Sequence, residues 1–204
     1  MSELAAGEQL FEEMELGGIV NFIAFRQAVA GYNRIKEKSK PILTLIDFSK
    51  PSTEKRFFVF DMEKKQLLFS SVVSHGRNSG GNYATSFSNQ NGSYKSSLGF
   101  YLTENTYQGG NGYSLILNGL EKGINDKAKE RSIVVHGASY ANPTVAASGR
   151  LGRSLGCPAL PTKLAKPIIN TIKDGSVMFI YANNSSYLAQ SDILKNVSAP
   201  MPAL

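Results

Sequence analysis

The chain has little of what builds covalent or metal frameworks. Cys157 is its only cysteine, which excludes an internal disulfide, and His75 and His136 are its only histidines, which leaves no closed structural zinc site. Whatever Cys157 does, it does as a thiol. No apolar run reaches the roughly 18 residues that a membrane-spanning helix needs. Nor does a secretory signal follow Met1, which leads directly into a polar, acidic segment. What is present is 204 residues, 42% apolar, 19% charged and 10% aromatic. That composition can bury a sizeable core and suits one globular domain with a small helical appendage, not a disordered chain.

The two signs of charge are unevenly placed. Residues 1–16 hold Glu3, Glu8, Glu12, Glu13 and Glu15 and no basic side chain; the first is Arg26. Removing those glutamates from the +6 of the whole chain leaves a body of +11. A body so basic points to an anionic partner, whether nucleic acid, acidic lipid or a carboxylate-bearing polymer. No helix or loop interleaves basic residues with aromatics in a nucleic-acid-binding motif, which removes the first of these.

Residues 1–40 read as two helices. Leu10, Phe11 and Met14 form one short apolar stripe; Ile19, Phe22, Ile23, Phe25, Val29 and Tyr32 form another, with a break near Gly17-Gly18 and a stop at Pro41. From Ile42 the period changes. Strands are expected at Ile42–Phe48, Arg56–Asp61, Gln66–Val73, Leu98–Thr103, Tyr113–Asn118, Ile133–Val135 and Val177–Tyr181. A hairpin turn is expected at Gln108–Gly112, and helices at Asn125–Glu130 and Thr162–Lys173. The organisation is a helical appendage over 1–40, a mainly β body over 41–190 and a C-terminal tail over 191–204. Within the body, Ser70–Thr103 is dense in Ser, Asn and Gly, with Arg77 and Lys95 its only full charges. Tyr83, Phe87, Tyr94, Phe100 and Tyr101 anchor it, so it reads as ordered loops around a site.

The most informative stretch is Ile133-Val134-Val135-His136-Gly137, followed by Gly149-Arg150-Leu151-Gly152-Arg153-Ser154-Leu155-Gly156-Cys157-Pro158. A histidine leaves a buried strand, and the lone cysteine returns 21 positions later, a spacing that suits a loop folding back to the strand end. A thiolate is the nucleophile, and an adjacent imidazole can take the thiol proton. Gly156 lets the backbone turn tightly, so that successive N–H groups converge beside the sulfur; one such donor is worth about 3–4 kcal/mol in acyl transfer. Taken singly, the same residues also suit a buried apolar cysteine, a scaffold histidine and plain turn glycines.

Together they resemble the catalytic domain of the murein L,D-transpeptidases, the YkuD-like group. His136-Gly137 followed by Ser154-Leu155-Gly156-Cys157 is similar to that family's His-Gly or His-Ser step and its later Ser/Thr-His-Gly-Cys step. Val72-Val73-Ser74-His75-Gly76 is similar to its opening strand-to-loop step, and Ser96-Ser97-Leu98-Gly99-Phe100 to its later small-residue turn. The likeness spans about residues 42–182, and the Ser-x-Gly-Cys-Pro subgroup fits best. It implies an α+β fold, mainly β, built as a sandwich or barrel with short helices, and a catalytic domain over 41–190.

The resemblance also implies chemistry. The Cys157 thiolate attacks the third residue of a peptidoglycan stem peptide, releases D-alanine and forms a thioester that a second stem resolves into a 3–3 cross-link. His136 is the expected base and the Gly137 carbonyl the group that orients it; the N–H groups of Gly156 and Cys157 form the oxyanion hole. Arg150, Arg153, Ser154, His75 and Tyr140 are the expected substrate-binding residues. Leu155 stands where the family has a second histidine, and Pro158 and Ala159 where it has a polar residue or arginine. No cofactor and no metal are implied; donor and acceptor stem peptides are the partners, with no nucleic acid and no membrane span. The expected location is periplasmic or otherwise extracytoplasmic, with the export signal removed or outside this sequence. Nothing in the sequence specifies an oligomeric state. Acylation by carbapenems is expected of such a cysteine. Three alternatives stand beside this reading: an L,D-carboxypeptidase or endopeptidase, a silent peptidoglycan-binding module, and a metal hydrolase using His75, His136 and Cys157.

Overall fold

The segment Ile42–Asp47 is apolar at neighbouring positions, not only at alternate ones, and a strand of that kind must be covered on both faces. In the computed structural model, which describes residues 2–197, all six of its residues are buried. This strand, β1, lies inside an eight-stranded sheet. The other strands are β2 (Phe57–Asp61), β3 (Gln66–Ser71), β4 (Gly99–Gly109), β5 (Gly112–Gly119), β6 (Val134–Gly137), β7 (Ala159–Leu160) and β8 (Val177–Tyr181). Their order is β3-β2-β1-β8-β4-β5-β6-β7. Two pairs are parallel, β1 with β8 and β6 with β7; the rest are antiparallel. The edges nearly meet. Just past β3, Ser74 bridges Ala159 of β7, and Gly76 bridges Ser154. The mainly β, α+β expectation is therefore met by a nearly closed sheet.

Helix α1 (Glu3–Glu13) is capped by Ser2, and α2 (Phe22–Arg34) by Asn21, whose side chain accepts from the N–H groups of Ile23 and Ala24. Between them lies the expected break. Helix α2 presents Ala24, Phe25, Ala28 and Val29 to the core formed by the sheet, and Phe25 meets Phe60 edge-on at 5.2 Å. Phe11 of α1 joins this cluster through Phe22 and Phe25. Close approach of α2 depends on Gly31, where an added Cβ would fall 2.0 Å from the Phe100 ring. Phe100 is itself stacked on Phe179 at 4.2 Å. Gly31→Ala is therefore expected to lower stability by about 2 kcal/mol in urea denaturation, overpacking outweighing alanine's better helix propensity.

Several expectations change in detail. Asn125–Glu130 is a series of turns, not a helix. The Asn125 side chain, fully buried, is committed to the strands: Nδ2 donates to the carbonyls of Leu98 and Phe100 and Oδ1 accepts from Glu121 N–H. The hairpin loop shrinks to Gly110-Asn111, because β4 continues to Gly109 and pairs it with Gly112. Helix α3 is Thr162–Ile172 and packs Ala165, Ile168, Ile169 and Ile172 inward. A further helix, α4 (Ser185–Gln190), is held by buried Glu121. That carboxylate accepts from Phe100 N–H at 2.9 Å, Tyr187 Oη at 2.8 Å and Ser191 Oγ, while burial pushes its pKa up. Of the expected tail, residues 198–204 lie outside the described residues.

Candidate active site

The site lies where the sheet closes. Strand β6 runs two residues past its expected end, so His136 sits within it, paired to Ser114 of β5 on one side and to Ala159 of β7 on the other. Cys157 precedes Ala159 by two residues, in the bend that leads into β7. The parallel pairing of His136 with Ala159 thus leaves Cys157 beside the start of β6, where the Val134 N–H meets its sulfur, two residues before His136. Gly137 permits the covering helix to sit close, since an added Cβ would meet Ala165 at 2.8 Å.

The segment 154–160 is zipped on both sides. Ser154 N–H donates to His75 O at 3.0 Å, Arg77 N–H to Ser154 O at 2.8 Å, and Ser74 N–H to Ala159 O at 2.9 Å. Ser154 Oγ donates to Cys157 O at 2.6 Å and accepts from Gly156 N–H at 3.1 Å. This clamp shapes the turn that carries the cysteine, with Gly156 at φ +126°. It also occupies the Gly156 N–H that the sequence reading assigned to an oxyanion. The Cys157 N–H makes no hydrogen bond among the described residues.

The Cys157 side chain is 8% exposed. Its sulfur accepts from Val134 N–H at 3.4 Å and its thiol donates to Ser132 O at 3.5 Å. Burial pushes the thiol pKa up, opposed by the Val134 N–H and by the Arg131 guanidinium. His136 is more covered still, and its Nδ1 lies 2.9 Å from Gly137 O. A carbonyl only accepts, so Nδ1 carries the hydrogen and Nε2 is the bare nitrogen. No hydrogen bond joins imidazole to thiol in this resting arrangement. Tyr140 lies near the thiol: burial, then the Cys157 charge, pushes its phenol up to about 12. Its ring packs against Gly152, where no side chain would fit.

His75, grouped above with the substrate-binding residues, takes a different place. It is fully buried, with Arg56 Nη2 at 2.8 Å from Nδ1 and Gly80 O at 3.2 Å from Nε2. A guanidinium only donates, so Nδ1 accepts and the Nε2 hydrogen goes to Gly80 O. Both ring nitrogens are thus spent on the protein, and the imidazole anchors the loop instead of lining a pocket. Arg56 was not foreseen, although an arginine heading the apolar run Phe57-Phe58-Val59-Phe60 is itself a signal. It is fully buried, donates to Val73 O and Lys50 O, and sits 4.8 Å from the Phe48 ring. Burial lowers its pKa to about 9, still charged at neutral pH. With His75 so placed, the three-ligand metal arrangement is not assembled. Among the described residues no three His, Cys, Asp or Glu side chains stand close enough to share an ion.

Arg150 Nη1 donates to Leu151 O, and Arg153 Nη1 to the carbonyls of Arg77 and Gly80. Neither has a carboxylate partner: the ion pairs among the described residues are Arg34 with Glu3, Lys65 with Glu13 and Lys129 with Glu104. The wall is acid-free by composition as well, since residues 66–103 and 131–173 contain no Asp or Glu. Among the described residues no helix is long and apolar enough to cross a membrane.

No curated protein matches this chain. Among solved structures, it is similar to an L,D-transpeptidase from Mycobacterium smegmatis at 13% identity and TM-score 0.42, over 70% of this chain and 59% of that one. It is similar to an L,D-transpeptidase from Stackebrandtia nassauensis at 14% and 0.41, over 90% and 79%. It is also similar to the helical cell shape determining protein Pgp2 from Campylobacter jejuni at 14% and 0.47, over 78% and 55%. The chain thus spans less than two thirds of the mycobacterial structure. Compared with protein families, residues 18–181 match the L,D-transpeptidase catalytic domain, a span that takes in α2, the whole sheet and both His136 and Cys157. With so much of its length in that match, the chain belongs to the L,D-transpeptidase catalytic-domain family.

Proposed function

We propose that this chain is a cysteine-dependent L,D-transpeptidase of peptidoglycan, working outside the cytoplasm on stem peptides. The observation that carries the reading is that the only thiol is held against β6 by the Val134 N–H, and that the same strand carries an imidazole whose Nδ1–H is committed to Gly137 O, leaving Nε2 as the proton acceptor.

The thiol turns from Ser132 O toward Nε2 and gives up its proton. The thiolate attacks the carbonyl carbon of the third stem residue, and the Cys157 N–H takes the developing oxyanion. The carbon–nitrogen bond to D-alanine breaks, and the imidazolium returns its proton to the leaving amine. An acceptor amine then attacks the thioester, passes a proton to Nε2 and expels the thiolate, leaving a 3–3 cross-link. Ser154 and Gly156 hold the turn, and Tyr140 stays a neutral phenol beside the sulfur. Arg150 and Arg153, free of carboxylate partners in an acid-free wall, suit the substrate's carboxylates. The catalytic unit is drawn as 41–190 with the α1 and α2 helices appended.

Incubation with purified tetrapeptide muropeptides and mass analysis tests the reaction. Dimers with loss of D-alanine are the expected products. Tripeptide monomers alone would make water the acceptor and the enzyme a carboxypeptidase; no change in any muropeptide would remove the reading.

A further inference from the structure

Arg131 precedes β6 by three residues and no motif marks it, yet its guanidinium lies directly behind the cysteine turn. Nη2 is 3.5 Å from the position a Cβ on Gly156 would take. Four neutral acceptors from the Ser70–Thr103 loops hold it. Nη1 donates to Ser88 O at 2.9 Å and Ser97 Oγ at 2.7 Å, and Nη2 to Ser93 Oγ at 3.1 Å and Lys95 O at 2.7 Å. None of the four carries charge, and no ion pair among the described residues includes Arg131. A partly buried cation satisfied only by neutral oxygens keeps its field uncompensated. The groups it can act on are Cys157 and, from β4, Tyr101, whose phenol stays protonated because burial raises its pKa.

We propose that Arg131 is a positioning residue for catalysis, supplying a fixed positive charge that favours the thiolate of Cys157 while the loops around it hold that charge in place. The inference rests on Cys157 being the nucleophile. The guanidinium neither gives nor takes a proton: the thiol proton goes to His136 Nε2, and the negative charge left on sulfur is what Arg131 answers. Of the other titratable groups, Tyr140 from the turn after β6 lies near the thiol and as a neutral phenol adds no positive charge, and His136 lies on β6 two residues past Val134, whose N–H meets the sulfur. The loop rich in Ser, Asn and Gly thereby gains a specific task, since its hydroxyls and carbonyls bind a cation without neutralising it.

Cys157 is the only thiol, so the rate of iodoacetamide alkylation against pH reads its ionisation directly. Arg131→Met is expected to move the alkylation profile about one pH unit upward, an approximately tenfold slower rate at pH 7. Arg131→Lys keeps the charge but loses the planar fork, so its profile is expected to stay within about threefold of wild type even where its melting temperature falls. Superimposable profiles for wild type and a folded Arg131→Met overturn the proposal. Should the methionine variant not fold, a folded Arg131→Lys that alkylates tenfold more slowly than wild type overturns it instead. Muropeptide turnover is measured in parallel. A shifted alkylation profile in a protein that transforms no muropeptide would leave Arg131 in this role and remove the transpeptidase reading; the converse result would do the reverse.

Discussion

Cys157→Ala is expected to abolish both covalent labelling by a carbapenem and muropeptide turnover, the latter by at least about 10⁴-fold. Intact-mass measurement reads the first: wild type gains one β-lactam mass, the alanine variant none. The effect is all or none because no second thiol can substitute. The fold should survive. Cys157 is a small buried side chain whose polar contacts are one long bond from Val134 N–H and one to Ser132 O, so its removal costs about 1 kcal/mol. An adduct retained in the folded alanine variant would place the acylated residue elsewhere. Labelling is also expected to quicken as pH rises, since burial holds the thiol above its ordinary range and the resting form is protonated at neutral pH.

Acid is expected to unfold the site loop through His75. Burial, then the neighbouring Arg56 charge, lowers this imidazole from an ordinary value of 6.5 to about 4, with Arg153 adding to the effect and the Gly80 and Gly81 carbonyls opposing it. A base whose pKa is lower folded than unfolded binds fewer protons in the native state, so stability rises with pH between the two values and is lost as pH falls through them. Between pH 7 and pH 4 the loss amounts to about 3 kcal/mol from this group. His75→Gln removes the titration and keeps an acceptor for Arg56. Urea denaturation from pH 7 to pH 4 should show wild type losing that much more stability than the variant. Equal losses in the two would mean that some other group governs acid stability.

Much of the fold was legible in residue order. The strands at Ile42, Phe57, Gln66 and Val177 announced themselves because dense runs of β-branched and aromatic side chains suit a covered sheet. Asn125–Glu130 has a helix-like pattern yet forms turns, because the Asn125 side chain serves backbone carbonyls far along the chain, which no local pattern encodes. The two-residue β7 was invisible for a similar reason: Ala159-Leu160 is a strand only because β6 lies beside it.

The candidate site divides the same way. His136-Gly137 and Ser154-Leu155-Gly156-Cys157 could be found in the sequence, since tight turns and a lone thiol are local features and the family resemblance rests on them. The sequence alone likewise determined that the segments around them carry no acid. Only the tertiary structure decided that His75 is a buried anchor, that the Gly156 N–H is already bound to Ser154, and that Arg131 stands behind the thiol. Those are matters of burial and of approach between distant segments. A charge or a ring nitrogen acquires its role from the dielectric and the partners around it, and these exist only once the sheet has closed.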